Sequence, residues 1–224
     1  ADGTSHRWQL DYDPQAADGR GAITFQIDDT RYPPVELPPE HRCDGIALNR
    51  FGIWNVQIAG SSSEIYLDDL QLNDRPFTFD NDPDWTGEGN QVEFLDRIIR
   101  PHHDYGFSPT SLIHPEPGGE LAGVIFRDER PSFYATPTGK LSLDDPLRAS
   151  GKILMSSAAA DSGFLIGWFN ADAKRNKQTP EYELRSTDYL AAMIEGPSRI
   201  GHYFRAAYSN SAGQGIIDSE DTPG

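Results

Sequence analysis

The run Glu64-Ile65-Tyr66-Leu67-Asp68-Asp69-Leu70 constrains this chain more than any other segment. Apolar Ile65 and Leu67 alternate with Glu64, Tyr66 and Asp68, the period-two pattern of a strand with one face buried and one wet. It reads as a strand that ends in two adjacent carboxylates. The same alternation recurs in Trp8-Gln9-Leu10-Asp11-Tyr12 and in Ile23-Thr24-Phe25-Gln26-Ile27. These two segments flank a turn region carrying Asp18-Gly19, so they predict a hairpin.

Phe51 to Ile58 predicts a further strand. In Gly163-Phe164-Leu165-Ile166-Gly167-Trp168-Phe169, Phe164, Ile166 and Trp168 share one face and Leu165 and Phe169 the other. Both faces are apolar, which predicts a central strand. Asp188 to Glu195 and Arg199 to Tyr208 read as a hairpin across Gly196-Pro197-Ser198. Gln91 to Arg100 reads as a strand or one short helix, Pro101 to Gly119 as a long loop, and Ala173 to Ser186 as a charged excursion. Residues 209–224 read as a polar loop or tail. In all, about ten or eleven strands and no long helix are expected, which predicts a single all-β domain, a two-layer antiparallel sandwich.

Composition agrees. The 224 residues suit one all-β domain. The 21 Gly and 17 Pro are spread along the chain, as many tight turns require. The formal charge of −16 repels nucleic acid and anionic membrane, since phosphate binding needs clustered Lys and Arg. No apolar run reaches the roughly 18 residues that span a bilayer. One cysteine, Cys43, excludes an internal disulfide. No signal peptide opens the sequence and no Asn-x-Ser/Thr sequon occurs in it. Acidity, β-richness and few lysines point to an extracellular or cell-surface protein.

Trp8–Tyr12, Phe51-Gly52-Ile53-Trp54-Asn55, Ile65–Leu70 and Gly163–Trp168 together resemble the concanavalin-like, laminin-G-like sandwiches, jelly rolls of two curved antiparallel sheets. The resemblance implies carbohydrate or protein binding, or glycan cleavage, since lectins, binding modules, hydrolases and lyases share that fold. In such sandwiches the strand matching Ile65–Leu70 often closes the domain, whereas here it lies in the first third. A permuted order is therefore expected, or a unit of a head-to-tail array in which tail and head adjoin.

Candidate chemistry gathers at three places. Asp80, Asp82 and Asp84 alternate as in the first half of an EF-hand loop, although Trp85 stands where that motif needs Gly. With Asp68 and Asp69 they form the expected site of a structural calcium ion. His102, His103, His114, Asp104 and Glu116 crowd one stretch with metal-ligand chemistry, but adjacent histidines point to opposite sides of an extended chain. Finally, Trp54, Trp168, Glu195, Tyr203 and Arg205 supply the rings and charged forks of a glycan groove. For catalysis, Glu120 and Glu195 would serve if their strands are neighbours, because retaining glycosidases hold two carboxyls about 5 Å apart. His202 and Tyr203 are the alternative, as a lyase base. The leading expectation is a non-catalytic module that binds glycan or protein. A glycan-active enzyme and a structural subunit that self-associates are the alternatives.

Overall fold

A computed structural model describes residues 3–91, 103–114, 118–172, 188–198 and 201–216. In chain order the elements are β1 (Ser5–Asp13), α1 (Ala16–Gly19), β2 (Ala22–Ile27), β3 (Thr30–Arg31), β4 (Val35–Glu36), α2 (Pro39–Asp44), β5 (Leu48–Asn55) and β6 (Ser62–Leu72). There follow β7 (Arg75–Phe77), β8 (Thr86–Glu88), β9 (Asp104–Ser108), β10 (Glu120–Phe126), β11 (Phe133–Leu141) and β12 (Leu147–Ala158). The last four are β13 (Gly163–Phe169), β14 (Tyr189–Ser198), β15 (Gly201–Asn210) and β16 (Gly213–Ile216).

The strands form two antiparallel sheets packed face to face. The front sheet runs β3-β2-β1-β12-β6-β10-β9, with β4 added on β2 and β7 on β6. The back sheet runs β16-β15-β14-β13-β5-β11-β8. Between them lies one apolar core, fed by alternate residues as the sequence pattern requires: Trp8 and Leu10 from β1, Ile65 and Leu67 from β6, Phe51 and Ile53 from β5, and Phe164, Ile166 and Trp168 from β13. Strand β13 is central, between β14 and β5, as its two apolar faces predict.

The β1–β2 and β14–β15 pairs form as antiparallel neighbours. Differences from the sequence reading concern mostly short elements; the exception is the nine-residue β11, where Pro137 and Gly139 interrupt the alternation and the register shifts. The long loop after residue 101 contains β9, and the polar tail contributes β16 at the edge of the back sheet. Strands of two to five residues carry too few alternations to show a period. Cys43 is exposed on α2, and the neighbouring His41 bonds the Tyr208 hydroxyl through Nδ1 at 2.7 Å rather than the thiol. The segments 92–102 and 173–187 lie outside the described residues, so the readings of Gln91–Arg100 and Ala173–Ser186 do as well. Among the described residues no helix is long and apolar enough to cross a membrane.

Candidate functional site

The site is built around an irregularity in β6. Against β12, Lys152 pairs with Asp68 but Ser150 pairs with Gln71, so β6 carries an extra residue between these two pairs. That residue is part of a β-bulge at Asp69, whose φ is +50°. Asp tolerates this left-handed conformation better than most side chains. The bulge resets the alternation. Ile65 and Leu67 point inward, and so do Leu70 and Leu72, while Asp68 and Asp69 both fall on the outer side. Gly151 faces the bulge from β12, and a Cβ there would meet Leu70 Cδ2 at 2.6 Å. The glycine leaves the room that the inward-turned leucine fills. The strand therefore does not end at the two carboxylates but continues past them to Leu72.

Asp68 is buried, with 3% of its surface exposed, and its Oδ1 accepts the Asp69 backbone N–H at 2.7 Å. Burial pushes its carboxyl up from 3.8 to about 6. Asp69 is more open, and its carboxyl is held below the ordinary range, first by the Lys152 ammonium and then by His114. Lys152 Nζ lies 2.7 Å from Asp69 Oδ2 and 3.0 Å from His114 Nε2. His114 Nε2 is 3.1 Å from Asp69 Oδ2 and 3.7 Å from Asp68 Oδ2. With a proton on Nε2 the ring donates to Asp69; without one it accepts from Lys152.

His114 is brought here by Glu120. That glutamate is buried and accepts bonds from Leu112 N at 2.7 Å, Ser111 Oγ at 3.0 Å and Ile113 N at 3.2 Å. Ser111 Oγ in turn accepts the His114 backbone N–H. Glu120 is thus committed to holding a loop. It begins β10 in the front sheet, whereas Glu195 lies on β14 in the back sheet, so the expected carboxylate pair does not form.

From this cluster a polar row crosses the front sheet. Lys152 pairs with Arg7 of β1, and the Arg7 backbone N–H donates to Asp28 Oδ1 at 2.8 Å. One register step along, Ser150, Gln9 and Gln26 lie side by side across β12, β1 and β2. Arg7, Gln9, Gln26, Asp28, Asp69 and Lys152 line a groove of about 700 Å³ on this outer face.

The other predicted residues have different surroundings. Trp168 is in the central core against Phe51, with ring centroids 5.1 Å apart, and cannot meet a ligand. Trp54 is on the outer face of the back sheet but is buried, its ring 4.6 Å from that of Phe169. Glu195, Tyr203 and Arg205 do come together there: Arg205 lies 3.5 Å from Glu195 and its guanidinium 4.8 Å from the centre of the Tyr203 ring. They form a cross-strand cluster of an ion pair and a cation–ring contact. His202 and Tyr203 diverge, since His202 lines a cavity that Tyr203 does not.

The expected calcium ligands divide in the same way. Asp82 accepts the Asp84 backbone N–H and Asp80 accepts the Thr78 hydroxyl, which are turn-forming bonds. Among the described residues the group that converges within ligand distance is Asp68, Asp69 and His114. Two carboxylates and an imidazole are poor in oxygen for calcium, which takes six to eight. The Lys152 ammonium also sits against two of the three donors, where a divalent ion would be repelled. His103 is buried away from this group, accepting the Phe126 N–H and lying 3.9 Å from Asp128; His102 and Glu116 lie outside the described residues.

Reasoning from sequence missed Arg7, Gln9, Gln26, Ser150 and Lys152. A signal was present for two of them: Gln9 and Gln26 are the outward residues of the cleanly alternating strands β1 and β2. No protein-family model, curated protein or solved structure matches this chain, so its own residues carry the functional reading.

Proposed function

We propose that the chain is an extracellular binding module whose ligand, a neutral glycan, lies along the outer face of the front sheet. The groove of about 700 Å³ across β2, β1, β12 and β6 carries this reading. Its lining offers donors (Arg7, Lys152), acceptors (Asp28, Asp69) and two amides that do both (Gln9, Gln26). Sugar hydroxyls both donate and accept, so a mixed lining of this kind matches them. Lys152 and Arg7 offset two of the three lining carboxylates, Asp28, Asp29 and Asp69, which leaves little preference for an anionic ligand. The resemblance to concanavalin-like sandwiches supports the same reading.

A glycan array followed by titration of the best neutral hit tests it. Binding at about 0.1–1 mM, weakened about tenfold in Gln9→Ala/Gln26→Ala with the melting temperature unchanged, is the expected result. Undiminished binding in that variant, or no neutral glycan bound, refutes the groove.

One observation favours a second reading, a glycan-active enzyme. Asp68 is pushed up to about 6 while the adjacent Asp69 is held low. Carboxyls driven apart in this way divide into an acid and a base at neutral pH. New reducing ends released from the bound glycan, and lost in both Asp68→Asn and Asp69→Asn, would establish it. Binding without product leaves the module.

A further inference from the structure

We propose that the glycan carries an apolar substituent, an aliphatic chain, that seats in a second recess beside the groove. This rests on the groove reading above. The recess is a cavity of about 460 Å³ at the mouth between the two sheets. Ile27, Ile153 and Met155 line it from the front sheet and Phe204 from the back sheet, with Tyr32 between them. Tyr32 bridges the layers, its ring 6.4 Å from that of Phe204. A volume of this size with apolar walls is the kind that takes a small organic group.

The two recesses meet at one carboxylate. Along β1 the side chains alternate, so His6 lines the cavity while Arg7 lines the groove. Asp28 lines both. Its Oδ2 lies 2.6 Å from His6 Nδ1 and its Oδ1 accepts the Arg7 backbone N–H. Asp28 stands in the tight turn after β2, with φ at +48°, so the ridge between the recesses is a single turn wide. The His6 ring is fixed at its other nitrogen by the Thr4 hydroxyl, 3.1 Å from Nε2. Thus the rim is polar and hydrogen-bonded while the cavity behind it is largely apolar. A sugar in the groove would bring a substituent on its outer hydroxyl to this rim, and burying that substituent removes apolar surface from water.

Matched methyl and octyl β-glycosides of glucose, galactose and mannose, titrated calorimetrically below their micelle-forming concentrations, test the proposal. The octyl form of the preferred sugar should bind at least about tenfold more tightly than the methyl form. Thr30→Trp, at an exposed residue on the cavity wall, should abolish that advantage and leave methyl-glycoside affinity unchanged. If Thr30→Trp does not fold, nuclear Overhauser contacts from the octyl chain to the Met155 methyl in the unaltered protein read the same seat. Equal affinity for both forms overturns the substituent pocket and leaves the groove standing. Octyl binding that ignores the sugar and survives Gln9→Ala/Gln26→Ala shows an apolar pocket alone and overturns both readings.

Discussion

The two outer faces of this sandwich differ sharply although their strands alternate by the same rule. On the front sheet the outward residues include Gln9, Gln26, Ser150, Lys152 and Asp69, which line an open groove. On the back sheet they include Trp54, Val56, Leu165, Phe169, Tyr189 and Met193, which form a second apolar cluster with almost no exposed surface. A sheet face composed of rings and aliphatic chains is stable only when covered, whereas a face of amides and charges can stay wet and meet a ligand. The rings expected to stack on sugar therefore belong to the covered face, and the polar groove belongs to the other.

Replacing Trp54 with Ala should break this contrast most severely. The ring packs on Phe169 and on Tyr189, 6.0 Å away, so its loss should cost about 3–5 kcal/mol in urea denaturation. A glycan-stacking Trp54 would instead lose binding at little cost in stability.

Asp68 comes next. Because burial raises its carboxyl from 3.8 to about 6, the native state keeps a proton in that window that the unfolded chain has released. The native state then binds more protons, so stability is full below about pH 4 and falls by about 2–3 kcal/mol by about pH 6 and above. Asp68→Asn should flatten this fall in denaturation curves at pH 4, 5, 6 and 7. Asp69 acts oppositely, its contribution being lost only as pH falls through its depressed value.

Lys152→Met should cost under about 1 kcal/mol, since its ion pair with Asp69 is partly open to solvent. It should bring the Asp69 carboxyl back up, which side-chain carbon NMR reads, and should weaken glycan binding about tenfold. The smallest expected effect is that of calcium. Millimolar calcium should move the melting temperature of the unaltered protein by less than about 1 °C, because the Lys152 ammonium already sits against Asp69 and His114. A larger rise would return the cluster to metal chemistry.

Much of the fold is legible residue by residue. Trp8, Leu10, Phe25, Ile65 and Phe164 reach the core because each lies on the apolar side of a period-two segment. The pair Asp68 and Asp69 also stands out, but its arrangement does not. Strict alternation sends adjacent residues to opposite faces, and only a bulge paired with Gly151 brings both carboxylates outward. Likewise His114 and Lys152 are remote in sequence from Asp69, and nothing local joins them. The short strands β7, β8, β9 and β16 are hidden in polar stretches because they derive their order from neighbours rather than from their own pattern.

By itself the sequence determined that this chain is an all-β sandwich, for hydrophobic alternation is a local property written along each strand. Tertiary structure alone decided which outer face is wet, which carboxylates share a proton field and where the groove runs. Those depend on strand order, register and one bulge, and they are set by how distant segments pack together rather than by any segment's own composition.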